Sequence, residues 1–542
     1  MHRGQPAELL GAGLQPASRW PALTLPHVAQ VAAHVQTLGG AFVYGPGGSG
    51  KSQTLRLVMA HVQHEHPSSH WVHVEGSAAT SRPGEALGPL LSSLKVPADA
   101  QARHVARALS DHLIAAHTSG PVTLVIDDAH LLDPESADVV AQVRRLGEVR
   151  VLGSVLAGHM PPDPLVQLWL DDLVGRTDLT PLTPSQVRDL MWEALDGPVE
   201  QALISQVHHL SGGNPRYVRE LVRARLDDGS LARRQSVWSA SGPPSLGQRL
   251  IDMTTSELSE LSDDERRAVS LIALAEPICL STATTLVGGA SIARLMDRGL
   301  VREERLAHES RPSMNAVAMT YPVVGQCIRG TIARHERRIW FDAVTEIRPI
   351  DDDLPTTSYL RLVAWGIDCG ADLSPHVLVQ ASERAAYLGE SDFAVEAASV
   401  AIRAATDPTL RARALLTRSN QLRLDHKAQL ALNDALSALA TLDQAEGDDI
   451  DALRHRAVGV LAEIHQFAND DPQQAQAVLE AWSTRTEVSA SALVLAGWSG
   501  ELARLVEHGD ALSSEPRAVA PLVLGLGWSG RAHAAQALAS AA

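Results

Sequence analysis

Eight consecutive residues constrain this chain more than any other feature. Gly45-Pro46-Gly47-Gly48-Ser49-Gly50-Lys51-Ser52 satisfies the pattern G-x-x-x-x-G-K-[ST] in full. The residues before it, Gly40-Ala41-Phe42-Val43-Tyr44, read as a short buried strand, and Leu55, Val58, Met59 and Val62 after it recur at helical spacing. A glycine-rich loop between a strand and a helix can turn successive backbone N–H groups inward, beside the partial positive charge of the helix N-terminus. That geometry receives phosphate. Lys51 is placed to reach the β- and γ-phosphates, and the Ser52 hydroxyl to ligate Mg²⁺, which takes oxygen ligands. Of the 46 basic residues only Lys51, Lys95 and Lys427 are lysines, so a lysine at position 51 is not background composition.

A second strand, Val122-Thr123-Leu124-Val125-Ile126, runs straight into Asp127-Asp128. Asp127 is the expected magnesium partner, direct or through water. Asp128 stands where a second acid polarises attacking water, a general-base role that needs an acceptor within hydrogen-bond reach. An extra strand fits between the two motifs at residues 71–74, and further strands are predicted at 149–156 and 176–179. Strands alternating with helical segments require crossover connections, hence a parallel sheet and an α/β fold.

At roughly 150 residues per domain, a chain of 542 residues implies three or four domains. The apolar stretch around Leu271 is broken by Glu276 and Pro277, and no run is long enough for a membrane span. The N-terminus does not read as a secretory signal, so the expected compartment is the cytoplasm. Cys279, Cys327 and Cys369 are too scattered for a metal site and read as buried free thiols. The histidines at 61, 64, 66, 70 and 73 lack the carboxylate or cysteine framework of a metal centre. A net charge of −17 argues against a chain-wide basic surface for nucleic acid.

Beyond the first 180 residues, Thr183-Pro184-Ser185-Gln186 is a capping box that opens a helical lid over 181–235. Within it, Ser211-Gly212-Gly213-Asn214-Pro215 closes one helix and starts the next, with Asn214 as N-cap and Pro215 in the first turn. A linker is predicted around 236–245. A winged-helix domain follows over 245–350, with a capping box at Ser262 and Glu265, short helices near 282–287 and 291–298, and wing strands at 300–303 and 317–319. Arg294 and Arg298 are its candidates for phosphate contact, but acidic Asp297, Glu303 and Glu304 lie close by, so DNA binding is not expected. From 354 to 542 helices dominate, with Ala385, Gly389, Ala394 and Ala398 marking close helix contacts. This is a TPR-like repeat region without a strict period, ending in Ala-rich helical sequence like an incomplete array.

Residues 41 to about 345 resemble the signal-transducing (STAND) ATPases of the large ATP-binding LuxR-family regulators, relatives of the maltose regulator MalT. The resemblance rests on "GPGGSGKS", "TLVIDDAHLLD", "LTPLTPSQV", "SGGNPRYVRELV" and the stretch from Tyr321 to Arg338. It implies ATP and Mg²⁺ as cofactors, held by Gly45 to Ser52 and Asp127, with Pro215 of the lid motif Gly213-Asn214-Pro215 contacting nucleotide. It also implies a winged helix and a helical sensor that reads an inducer or protein partner, with nucleotide-dependent self-association. Three departures stand out. The Gly-Arg-Glu box that precedes the P-loop in that family is missing, which leaves the adenine contacts unassigned. Ala157-Gly158-His159 replaces the usual phosphate-sensing arginine, so sensing falls to His159 or Arg176, or is weak. No C-terminal LuxR-type helix-turn-helix is found.

The expectation is a regulatory switch with slow ATP hydrolysis, in which Lys51 and Asp128 carry the chemistry. A dedicated ATP-hydrolysing enzyme or motor and a nucleotide-stabilised scaffold are the alternatives.

Overall fold

A computed structural model of the chain describes residues 27–541 except 77–85, 93, 95–100, 118–119, 243–245, 308–312, 444–447, 482–522, 524–525 and 527–530. The N-terminal segment read above as lacking a signal, Lys95, and part of the predicted repeat region lie outside the described residues. The chain divides into two compact units. The first runs to Ala273 and takes in Ala283–Glu304 and Val317–Thr331; the second comprises Leu274–Thr282, Arg305–Ala316 and Ile332–Ala542.

The first unit is built on five parallel strands: β1 (Gly40–Gly45), β2 (His70–Glu75), β3 (Val122–Asp127), β4 (Val149–Leu156) and β5 (Gly175–Asp178). Their order in the sheet is β2-β3-β4-β1-β5. Each strand predicted from the sequence is present. Strands β3 and β4 are rich in Val, Ile and Leu because both sheet faces are covered there, and alternation sorts the side chains between two layers. Phe42, Leu124 and Ile126 point to a core shared with helices Ala102–Ala116 and Pro134–Leu146. Ala41, Val43 and Val125 point to the opposite core, with helices Val28–Thr37 and Lys51–Glu65. Each fully buried Leu, Ile or Val contributes about 1.5–3 kcal/mol relative to exposure. Because every strand is parallel, the carboxyl ends of β1, β3 and β4 lie at one edge of the sheet, where the glycine loop and the two aspartates emerge.

The segment predicted as a lid follows β5 as three helices, Pro184–Leu195, Gln201–Ser211 and Pro215–Asp227. Thr183 and Gln186 form the reciprocal capping box. The predicted linker holds structure instead: Leu231–Arg234 and Val237–Ala240 pair as an antiparallel hairpin. Trp238, buried in that hairpin, donates its indole N–H to the Leu195 carbonyl at 2.8 Å, which anchors the hairpin to the lid. A further helix, Gln248–Ser259, precedes helix Asp263–Ala275, whose Ser262 and Glu265 cap as predicted. Strands Val301–Leu306 and Met314–Met319 are sheet neighbours at the predicted wing.

In the second unit, helices Thr356–Cys369, Pro375–Leu388, Ser391–Ala404, Pro408–Leu424, Ala428–Leu442, Asp448–Glu463 and Pro472–Ala481 each pack mainly on their chain neighbours. Starts at Pro375, Pro408 and Asp448 keep no constant period. Ala385, Ala394 and Ala398 are fully buried at close helix contacts. Gly389 has another role: at φ 79° it is the left-handed C-cap of its helix. Ion pairs tie these helices together: Arg418 to Asp434 joins consecutive helices, and Arg413 to Glu383 bridges Pro408–Leu424 to the next-but-one helix Pro375–Leu388. Cys327 and Cys369 are buried, whereas Cys279 is only partly covered; all three are free thiols. Among the described residues, no helix is long and apolar enough to cross a membrane.

Candidate functional site

The loop from Gly45 to Ser52 leaves β1 and enters helix Lys51–Glu65 through two left-handed residues, Gly48 at φ 76° and Gly50 at φ 97°. Among the described residues no side chain caps this helix, so its first N–H groups keep their donor capacity. A β-carbon at Gly45 would lie 2.5 Å from Ser49 Oγ, which explains the glycine there. Ser49 Oγ itself is buried and has no hydrogen-bond partner among the described residues. Lys51 is buried, and its ammonium donates to the carbonyls of Gly45 at 3.1 Å and Pro46 at 3.2 Å, holding the loop in its curve. Burial pushes the Lys51 pKa below its ordinary value, and the nearby charges of Asp128 and Asp127 oppose that shift.

At the end of β3, Asp127 Oδ1 accepts a 2.5 Å hydrogen bond from Ser154 Oγ on β4. The same hydroxyl accepts the Asp128 N–H at 2.9 Å. Ser154 is fully buried, and it orients both acids at once. Asp128 then turns the chain at φ 53° into a short 3-10 turn, Ala129–Leu131, that carries His130.

Loop, Asp128 and lid surround a cavity of about 630 Å³. Gly47, Gly48, Gly50, Lys51, Ser52 and Asp128 line it, and Pro215 and Arg216 reach it from the lid. Of the remaining predicted site residues, Pro46 and Ser49 shape the loop, and Asp127 stands behind Asp128 on Ser154. Asn214 donates through Nδ2 to the Gly47 carbonyl at 2.9 Å, and the Arg216 N–H donates to the Gly48 carbonyl at 3.3 Å. The lid helix is thus hydrogen-bonded to the loop. Behind it, Arg216 pairs with Glu257 at 3.2 Å on helix Gln248–Ser259. Burial raises the Glu257 pKa, and Arg216 opposes that rise. Burial raises the pKa of Tyr321, with Asn214 beside it opposing the rise, and its ring sits 4.9 Å from that of Tyr217.

The two sensing candidates from sequence fare differently. Arg176 does not line the cavity: both its Nε and Nη2 bond Asp178, and its guanidinium lies over the Tyr44 ring at 4.0 Å. His159 packs edge-on against His130 at 5.2 Å. Arg294 on helix Gly289–Asp297 and Arg298 at its C-cap are turned onto the buried Glu265, with Nε to Oε1 distances of 3.0 and 3.9 Å. Sequence reasoning missed Ser154, His130 and Arg216. The first left a signal, a lone polar residue in an otherwise apolar stretch of strand.

These residues fit a nucleoside triphosphate: a loop with two left-handed glycines, uncapped helix N–H groups, a buried ammonium and the Asp128 carboxylate converge on one cavity, with Asp127 directly behind it. The strand β4 interposed between the strands carrying loop and acids, together with a match of residues 35–162 to the family described as AAA domain, defines a P-loop ATPase domain of AAA type. Such a domain implies nucleotide binding. No curated protein matches the chain. Among solved structures, it is similar to the Orc1 protein of Aeropyrum pernix in complex with DNA, at 15% identity over 58% of this chain and 95% of that one, with a TM-score of 0.33. A STAND protein with a tetratricopeptide repeat sensor from Pyrococcus horikoshii is 13% identical over 96% of this chain and 87% of its own, with a TM-score of 0.29. The Walker-type ATPase of Pyrococcus abyssi is 15% identical over 56% and 94%, with a TM-score of 0.38. At these TM-scores the likeness carries no functional implication.

Proposed function

We propose that this chain is an ATP-driven regulatory switch of the STAND kind, similar in plan to the LuxR-type, MalT-like regulators. Its working parts are an ATPase core over 1–180, a lid over 181–235, a winged helix over 245–350 and a helical sensor over 354–542 that takes an inducer or protein partner. ATP is held by Gly45 to Ser52, with Pro215 against the nucleotide; Mg²⁺ is held by Ser52 and Asp127. When bound, the metal supplies positive charge beside the phosphates. Lys51 binds and orients the phosphate chain, and Asp128 accepts the proton of the attacking water.

One observation carries the reading: Asn214 and Arg216 tie the lid to two carbonyls of the phosphate loop. A group that alters the loop's hydrogen bonding therefore acts directly on the lid helix, and through Arg216 on Glu257. A switch needs a differential interaction of this kind between its two states. DNA readout is not proposed, because Arg294 and Arg298 are committed to Glu265.

The test is steady-state hydrolysis combined with hydrogen exchange over helices Pro215–Asp227 and Gln248–Ser259. A switch turns over well below the ~1 s⁻¹ at the slow end of typical enzymes, and protects these helices differently with an ATP analogue and with ADP. Fast turnover would favour a dedicated enzyme or motor. Identical protection in both states would favour a scaffold.

A further inference from the structure

His130 is a titratable group on the cavity wall to which neither the loop chemistry nor the acid pair gives a task. Its Nδ1 accepts the backbone N–H of Leu156, the last residue of β4, at 3.4 Å. A nitrogen that accepts a hydrogen bond carries no proton, so the neutral ring bears its proton on Nε2. Nε2 donates to no protein atom among the described residues. The groups facing the ring are Asp128, whose carboxylate is 4.0 Å from Nδ1, His159, edge-on at 5.2 Å, and Lys51. Burial holds the His130 pKa below its ordinary value, the Asp128 charge opposes this, and His159 and Lys51 add to it, so the ring is neutral at pH 7.

A neutral imidazole, locked in one tautomer by a strand end and presenting an unused donor beside Lys51 and Asp128, is a directed hydrogen-bond donor. We propose that His130 donates through Nε2–H to the terminal phosphate of a bound nucleoside triphosphate, and so distinguishes triphosphate from diphosphate. This rests on the nucleotide-binding reading of the cavity. It supplies the sensing that Arg176, held by Asp178, does not offer, and it links that sensing to β4 through Leu156.

Two variants separate the ring's two nitrogens. In His130→Asn the side-chain oxygen replaces Nδ1 as acceptor for Leu156 but cannot reach the Nε2 position. In His130→Gln the side-chain nitrogen occupies the Nε2 position while the Leu156 bond is lost. The readout is the ratio of affinities for a non-hydrolysable ATP analogue and for ADP, each titrated directly with Mg²⁺, with Lys51→Ala measured alongside. The expected result is a preference for the triphosphate that falls about tenfold or more in the Asn variant, whose melting temperature stays near that of the parent, and that the Gln variant keeps to within about threefold despite lower stability. A nitrogen-15 spectrum of the nucleotide-free chain should show His130 as the Nε2–H tautomer. An unchanged preference in His130→Asn, or an Nδ1–H tautomer, overturns the assignment while leaving the phosphate loop intact if Lys51→Ala still weakens both nucleotides. If Lys51→Ala weakens neither, both readings fall together.

Discussion

Asn214 donates to the Gly47 carbonyl at 2.9 Å while its Oδ1 accepts the Arg216 N–H at 3.0 Å, so one amide both caps the lid helix and grips the phosphate loop. The two jobs separate by substitution. Asn214→Ala loses both and should be about 1 kcal/mol less stable. Asn214→Asp keeps the cap but replaces the donor with an anion beside the loop. It should melt close to the parent while binding ATP about tenfold or more weakly. Thermal denaturation and titration with a fluorescent nucleotide read the two effects; parental ATP affinity in the Asp variant would detach this contact from nucleotide binding.

Neighbouring glycines of the loop should behave in opposite ways. At Gly48 the backbone is left-handed, and an added β-carbon would lie 2.6 Å from Arg216 Cβ and 3.0 Å from Asn214 Oδ1. At Gly47 an added β-carbon meets nothing within 4 Å. Gly48→Ala should therefore push the lid off the loop, with about 1–2 kcal/mol of backbone strain in addition, and abolish tight ATP binding. Gly47→Ala should bind nearly as the parent does. Equal affinities in the two variants would show that lid docking does not depend on this approach.

The acids are divided by their surroundings. Asp128→Asn should leave ATP binding near the parental value and slow hydrolysis, since an amide cannot take the proton from water. Asp127→Asn should raise the Mg²⁺ concentration needed for binding. Ser154→Ala removes the hydroxyl shared by both residues, leaves the Asp128 N–H without its partner, and should cost about 1–3 kcal/mol. Magnesium titrations of the three variants check this. A loss of binding alone in both Asn variants would contradict the division.

Much of this was legible in advance for identifiable reasons. Strands β1 and β3 are apolar runs bounded by Gly, Pro or Asp, and burial on both faces writes itself into their composition. The caps at Thr183, Asn214 and Ser262 are local, and so are their signatures. The hairpin at 231–240 was not legible, because its turn uses Gln235 and Ser236 at φ 46° and 72° without the glycine that marks such turns. Nor could sequence show that Asn214 bonds Gly47 across 167 residues, since a tertiary contact leaves no periodic trace. Arg176 looked available for sensing because a guanidinium in sequence does not reveal its partner, here Asp178.

Acid should act on helix Asp263–Ala275 and its neighbours through Glu265. Hydrogen bonds from Ser262, with Arg294 and Arg298 beside it, hold its pKa down to about 2, against an ordinary value of 4.5. A carboxylate with a depressed folded-state pKa stabilises fully above its unfolded value, and that stability is lost as pH falls from about 4.5 towards 2. Glu265→Gln should lower the melting temperature at pH 7, and the gap to the parent should narrow across that window. A gap independent of pH would show that the charge at Glu265 is not what stabilises this segment.

The most direct measurement is titration of ATP with Mg²⁺ into the parent chain and Lys51→Ala. The ammonium at this position is buried, and among the described residues it is the one lysine on the cavity wall. Removing it should weaken ATP binding about 10- to 150-fold, or about 1.5–3 kcal/mol. Lys51→Arg should restore only part of that loss, because a planar fork does not fit where a point charge is cradled. Unchanged affinity in the alanine variant would contradict the assignment of Gly45 to Ser52 as the phosphate site.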